Sequence, residues 1–328
     1  MPASKEQQWK TEEDDLLRNS IKQRLSFKDM VPLFPARTRR GLTCRAYTLG
    51  LQSGTPRTIH SKNESFWETP NAINSYYAGL AAADMSVGKS RSILAWTCAT
   101  EDEEYMVEFV KRCGFTGSIR RFNKENKSIC GGHPTKPLCF HSSVVIAASQ
   151  KWCADLARNF NVVNNKTHRL RPPNLHSDYL KCCYLVGLLD GDGSVSFNMK
   201  EKSPHIAYGS ASRDIVEWVR EFVEDHFPFK IRARPTSVAE KLDGRYYHYS
   251  ICGMTCVKLI ELLRTIDVPR FKRKWDNPLI LELIQGYHMK WPEYFTPEKE
   301  LAFHDDGSII WAATGERVFG ALEPALAA

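Results

Sequence analysis

Asp84 and Asp192 are the residues of this 328-residue chain whose setting could do chemistry as a pair. Each closes a run of small and apolar residues, "NSYYAGLAAAD" and "KCCYLVGLLDGD". The runs align without a gap, so that Gly79 matches Gly187 and Asp84 matches Asp192. Read as helices, they can cross at close range because the facing positions are small: Ala78, Gly79, Ala82 and Ala83 in one, Gly187 and Gly191 in the other. Close crossing would bring both carboxylates to one small volume. Paired like charges are costly there unless a divalent cation neutralises them, which predicts bound magnesium, or manganese in its place.

A lysine in a basic stretch follows each aspartate: Lys166 in "VVNNKTHRLR", 82 positions after Asp84, and Lys272 in "VPRFKRKW", 80 positions after Asp192. An in-line phosphoryl displacement needs a positioned water, neutralised non-bridging oxygens and a stabilised leaving alkoxide. A lysine near each metal suits the remaining roles, lowering the pKa of the water or stabilising charge on the phosphate. Two half-sites of this kind could cut both strands of a DNA duplex.

The elements that must position these groups recur in step from residue 72 onward. After each aspartate come two strand-like runs, "MSV" with "RSILAWTC" and "SVSFN" with "PHIAYGS". An amphipathic helix follows, "EDEEYMVEFVKRC" or "RDIVEWVREFVEDHF". Two more strands come next, "GSIRRFN" with "LCFHSSVVIAA" and "FKIRARPTS" with "RYYHYSICG", and then a closing helix, "SQKWCADLARNF" or "TCVKLIELLRTI". The fold class is α+β, two pseudo-symmetric αββαββα repeats. Four antiparallel strands per repeat would form a saddle, with helices covering one face and DNA against the other. The expected DNA face carries Lys89, Arg91, Arg120, Arg121, Lys124, Lys230, Arg232, Arg234, Arg245, Tyr247 and Tyr249.

Residues 8–50 read as three short helices, with Thr11 and the acids after it as the start of the first. In the third, "RTRRGLTCRAYTL", Arg37, Arg39, Arg40 and Arg45 sit among Leu42, Tyr47 and Leu49, which suits a groove-lying helix with one buried face. Residues 51–71 show no period and read as a linker, with Phe66 and Trp67 docking it locally.

A net charge of +7 and a pI near 8.8 are compatible with a polyanionic partner. No apolar run approaches the roughly 18 residues that span a bilayer, so no membrane partner is expected. No apolar secretory segment is visible either, so the expected location is intracellular and DNA-associated, with the ten cysteines as thiols. Cys130, His133, Cys139 and His141 fit no standard zinc spacing.

Residues 72–292 resemble a single-chain, two-motif LAGLIDADG homing endonuclease, on "YAGLAAADM" and "LVGLLDGDG" together with the repeat downstream. "WKTEEDDLL" followed by "FPARTRRGLTCRAYTL" resembles a Myb/SANT-type helix-turn-helix domain. The resemblances imply a Myb-like DNA-binding unit over 1–50, a linker over 51–71, repeats over 72–174 and 175–292, and an extension of unassigned role over 293–328. They also imply Asp84 and Asp192 as metal-binding catalytic acids, the carbonyls of Ala83 and Gly191 as further metal ligands, and Lys166 and Lys272 as the basic site residues. The implied function is a staggered, magnesium-dependent double-strand break in a long asymmetric DNA target, made by a monomer. An intron RNA maturase and a cleavage-deficient DNA-binding protein are the alternatives on the same scaffold. Copy one departs from the motif at Ala82, where an acid is expected, and at Met85, where a glycine is, which makes the first half-site the weaker one.

Overall fold

A computed structural model of the chain describes residues 9–318, apart from 24, 52–59, 91, 127–128, 131–132, 135–137, 199–202, 230–237 and 242–245. The chain divides into two units, residues 1–60 and 61–328.

In the first unit, α1 (Thr11–Lys22), α2 (Phe27–Met30) and α3 (Arg39–Thr48) close around Leu17, Ile21, Met30, Phe34, Leu42 and Ala46. The helix start differs by one residue from its sequence reading. Lys10 is the N-cap, because the Glu13 carboxylate reaches back to accept the Lys10 backbone N–H at 2.9 Å, leaving Thr11 as the first helical residue. At α3 the cap is Thr38, whose hydroxyl accepts the Gly41 N–H at 3.1 Å. Tyr47, expected on the buried face of α3, is instead 87% exposed.

The second unit begins before α4 (Ala72–Ala83). Residues 61–71 belong to this unit rather than to a linker. Phe66 and Trp67 are buried against Phe109, Trp152 and Phe160, the Trp152 indole N–H donates to Asn63 O at 2.8 Å, and the buried Asn74 carboxamide donates to Phe66 O and Thr69 O. Asn71 and Asn74 accept one another's backbone N–H groups, which fixes the start of α4.

After α4 come β1 (Met85–Val87), β2 (Ile93–Ala99), α5 (Glu103–Arg112), β3 (Arg120–Asn126), a two-stranded ribbon of β4 (Ile129–Cys130) and β5 (His133–Pro134), β6 (Leu138–Ala148) and α6 (Gln150–Phe160). The second copy runs α7 (Asp178–Gly191), β7 (Ser194–Asn198), β8 (Ser203–Ser210), α8 (Arg213–His226), β9 (Ala239–Lys241), β10 (Tyr246–Cys252) and α9 (Gly253–Thr265), with the one-turn α10 (Lys272–Trp275) after it. Both sheets are antiparallel with equivalent strand orders, β1-β2-β6-β3 and β7-β8-β10-β9. The expected strand over 229–237 lies almost wholly outside the described residues.

In each sheet alternate residues enter the core: Leu94, Trp96, Val145 and Ala147 in the first, Val195, Ile206, Tyr208, Tyr249 and Ile251 in the second. The amphipathic helices α5, α6, α8 and α9 cover that face, while the other is left open. α11 (Pro278–Lys290) and a hairpin of β11 (Leu301–Phe303) and β12 (Ile309–Trp311) complete the chain. The hairpin docks on the second copy: Gly307 O accepts the Tyr179 N–H at 2.7 Å, and Trp311 meets Phe229 edge-on at 5.6 Å.

The two halves join through α4 and α7, which are buried on all sides over Asn74–Ala82 and Cys182–Asp190. Two glycines set their approach. A Cβ on Gly79 would lie 1.9 Å from Tyr184 O, and one on Gly187 would lie 1.9 Å from Tyr76 O, so each helix backbone runs directly against the other.

Candidate active site

The crossing carries both aspartates to one place. Asp84 and Asp192 each follow the last turn of their helix, held by N–H donation to Leu80 O and Leu188 O. Gly191 packs flush against the opposite helix end: a Cβ there would lie 2.2 Å from Ala83 Cβ and 3.3 Å from the Asp84 carboxyl. The Asp84 carboxyl therefore sits beside the residue that precedes Asp192. Both side chains reach solvent, yet the packed surroundings push the Asp84 carboxyl up to about 6, first through burial and then through the negative charge of Asp192. Burial raises Asp192 as well, with Lys166 and Lys274 opposing the rise.

The lysines meet the helix ends rather than the carboxylates. Lys166 donates from Nζ to Ala82 O and Ala83 O. On the other side the donor is Lys274, which reaches Leu189 O at 2.8 Å, Asp190 O at 2.6 Å and Gly193 O at 2.8 Å. Lys166 thus takes up carbonyls of the last turn of α4, while Lys274 adds to Leu189 O, which also accepts the Gly193 N–H, and to Asp190 O, so that each ammonium lies at the negative end of a helix macrodipole. Burial holds both amines below the usual lysine range, while the neighbouring aspartates pull them back up.

This corrects the expectation of Lys272. That residue opens the single turn of α10 with its side chain exposed, and its backbone N–H donates to Tyr105 Oη at 2.8 Å; two positions on, the turn carries Lys274 inward. The signal was in the spacing, since Lys274 follows Asp192 by the same 82 positions that separate Lys166 from Asp84. The Ala83 carbonyl, expected as a metal ligand, is engaged by Lys166, whereas the Gly191 carbonyl is not among those that Lys274 takes.

Asp190 is a site residue that the sequence reading passed over. It is 1% exposed and accepts hydrogen bonds from Tyr76 Oη at 2.9 Å, the Phe271 backbone N–H at 3.0 Å and the Trp275 indole at 2.7 Å. Burial raises its carboxyl to about 6 against those hydrogen bonds. Its effect is to fasten the segment that bears Lys274. The first copy reinforces that segment: Asp102 forms a bidentate pair with Arg273 at 3.0 and 2.8 Å, and Tyr105 packs on Phe271 with ring centroids 4.5 Å apart. Copy one has Ala82 in the place of Asp190, and Tyr184, which matches Tyr76, has a buried hydroxyl with no partner among the described residues.

Strand register re-sorts the expected DNA face. Arg120 pairs with Val144 and lies on the open face with Phe122, whereas Arg121 pairs with the buried Ser143, on the helix side, and is bound to Glu103. Tyr247 and Tyr249 also face the helices. Tyr249 is 3% exposed opposite Tyr208, so Tyr246, His248 and Ser250, with His205 and Ser196 beside them, form the open face of the second sheet. Aromatic residues at alternate positions read as a wet surface in sequence, but in the fold they fill the core. Lys89 is exposed in the turn between β1 and β2. Arg91, Lys230, Arg232, Arg234 and Arg245, and the side chains of Lys124, Cys130, His133 and Cys139, lie outside the described residues.

In the first unit, Arg37 and Arg45 are taken up within the fold. Arg37 forks onto Glu13 at 2.8 and 2.7 Å and Arg45 onto Asp14 at 2.7 and 2.5 Å, both over the Trp9 ring. Arg39 and Arg40 are the exposed arginines of α3.

Among the described residues no group of three or more His, Cys, Asp and Glu could hold a metal ion. The donor set at the helix crossing is two carboxylates, which suits magnesium: that ion keeps several waters and is bound through one or two carboxylates plus substrate phosphates.

No family model matches the chain, and neither does any curated protein. Among solved structures the chain is similar to the I-LtrWI LAGLIDADG homing endonuclease bound to target DNA, with 12% identity, 72% of this chain and 95% of that chain covered, and a TM-score of 0.40. It is similar to the LAGLIDADG homing endonuclease I-GzeII in complex with a DNA target, with 9% identity, coverage of 68% and 93%, and a TM-score of 0.41. It is also similar to the full-length DUF199/WhiA protein from Thermatoga maritima, with 11% identity, coverage of 70% and 72%, and a TM-score of 0.38. With superpositions this loose, the functional reading rests on the chain's own residues.

Proposed function

We propose that this chain is a site-specific, LAGLIDADG-type DNA endonuclease that cuts both strands of a long asymmetric target to leave staggered ends, acting as an intracellular monomer with magnesium or manganese. The observation that carries the reading is the Asp84 carboxyl beside Gly191, which makes the helix crossing a two-carboxylate centre. A divalent ion held by Asp84 and Asp192 would neutralise phosphate oxygens and lower the pKa of an attacking water. Lys166 and Lys274 hold the helix ends in register and set a positive charge next to the acids. The open sheet faces, with Arg120, His205, Tyr246 and His248, would lie along the duplex. The helical unit would lengthen the recognised site in the manner of a Myb-like domain, with Arg39 and Arg40 on phosphate and with Arg37 and Arg45 bracing the helix rather than touching DNA.

The test is selection of cleaved duplexes from a randomised library in magnesium, with Asp84→Asn and Asp192→Asn as controls. Enrichment of one target by the wild type alone supports the reading. No enrichment, or equal enrichment by the Asn variants, overturns it. Retention of tight DNA or intron RNA binding by those variants would then favour a non-cutting binder or a maturase.

A further inference from the structure

On the helical side of the second sheet, α9, α11 and the segment entering β11 enclose a cleft of about 530 Å³. Small-molecule sites run from about 300 to 1,000 Å³. Leu262, Leu281, Ile284 and Leu301 give the cleft apolar walls, and Lys258 is part of its lining.

Lys258 is 4% exposed. An ammonium carries three N–H donors, yet among the described residues Lys258 makes no hydrogen bond. Its neighbours are the ring faces of Phe295 at 4.4 Å and Phe229 at 5.5 Å and the Glu261 carboxylate no nearer than 3.9 Å, with the charge of Glu300, also on the cleft wall, acting on it without a hydrogen bond. Glu261 is itself engaged at its other oxygen by His288, whose ring stacks on Phe295 at 3.7 Å. A buried cation short of acceptors, at the wall of an apolar cleft, calls for an anionic acceptor.

We propose that this cleft binds a small organic anion, a carboxylate or phosphate monoester on an apolar body, with its head group on Lys258 Nζ and its body between Leu281 and Ile284. α9 lies on the core face of β8 and β10, opposite His205 and Tyr246, so such a ligand would not compete with a duplex on the open face.

The experiment is thermal unfolding of the full chain with phenylacetate, phenyl phosphate or the neutral phenylacetamide, for the wild type, Lys258→Met and Leu281→Trp. Met keeps the apolar stem of Lys258, and Trp fills the cleft while sparing the ammonium. The wild-type Tm should rise by about 3–6 °C at ten times Kd with either anion and stay unchanged with the amide. Lys258→Met should abolish the rise, and Leu281→Trp should weaken binding tenfold or more. No rise with either anion up to millimolar concentration, an equal rise in Lys258→Met, or an equal rise with the amide would overturn the proposal. Cleavage does not enter the readout, so failure here leaves the endonuclease reading standing.

Discussion

Tyr76 of α4 donates its hydroxyl proton to Asp190 of α7 at 2.9 Å, while its counterpart Tyr184 finds no acceptor among the described residues, the match of Asp190 in copy one being Ala82. One cross-helix bond of a symmetric pair is therefore made and the other is missing. Tyr76→Phe should cost about 1–3 kcal/mol, since it strips a donor from a buried carboxylate, and Tyr184→Phe should be neutral or stabilising. Chemical denaturation of the two variants checks this; equal losses would mean that Tyr184 has a partner after all.

On the proposed endonuclease function, the same asymmetry should reach the chemistry through Lys274. Because Asp190 holds both Phe271 and Trp275, Asp190→Asn should loosen the segment that carries Lys274 and slow cutting of one strand more than the other. Nicked circles should then accumulate on a plasmid bearing the target. Parallel slowing of both strands would show that Asp190 serves the helix pair as a whole.

The two candidate lysines of the second copy can be separated directly. Lys274→Met removes a donor from three carbonyls and takes one of the two lysine counter-charges from the acids, so cleavage should fall about a hundredfold or more, a loss of the size seen on removing one electrostatic donor from an active site. Lys272→Met should change cleavage by less than tenfold, because its contact to Tyr105 runs through the backbone. A larger effect at Lys272 would restore it as the site residue.

How much of this was legible in the sequence follows from what kind of information each feature needs. Helix period and small residues at matched positions announced α4, α7 and the repeat, because close backbone approach leaves its mark on composition: Gly79 and Gly187 admit nothing larger. Asp84 and Asp192 were equally visible. Sheet faces were not, since parity in "RYYHYS" depends on which residue meets Tyr208, and aromatic side chains fit a core as well as they fit DNA. Arg37 and Arg45 looked free for the same reason: Glu13 and Asp14, more than twenty positions away, claim them only after folding. Lys272 and Lys274 share the basic stretch "VPRFKRKW", and in sequence only the 82-position spacing sets Lys274 apart.

The glycines of the crossing make a sharper test of the fold than any surface change. Gly79→Ala and Gly187→Ala each place a methyl 1.9 Å from a backbone carbonyl of the opposite helix, and should cost about 3 kcal/mol and part the two aspartates. Gly286→Ala in α11 meets open space and should stabilise by about 0.5–1 kcal/mol. If the three variants unfold alike, the helices do not cross as described.

Acid should loosen the helical unit by a traceable route. Arg37 holds the Glu13 carboxyl down to about 2, and Arg45 lowers that of Asp14. A carboxyl depressed in the fold adds stability above its unfolded value of about 4.3 and loses it as pH falls through the folded one. The contribution of the Glu13–Arg37 pair is therefore full at pH 6 and mostly lost by pH 2. With side chains 13% and 22% exposed the pair is only partly screened, and about 1 kcal/mol is the expected size. Glu13→Gln keeps the acceptor for the Lys10 N–H but not the charge. Hydrogen exchange over Thr11–Lys22 in the full chain should separate wild type from Glu13→Gln at pH 6, and the gap should close as pH approaches 2. A gap that persists at low pH would mean that shape, and not charge, makes the contact.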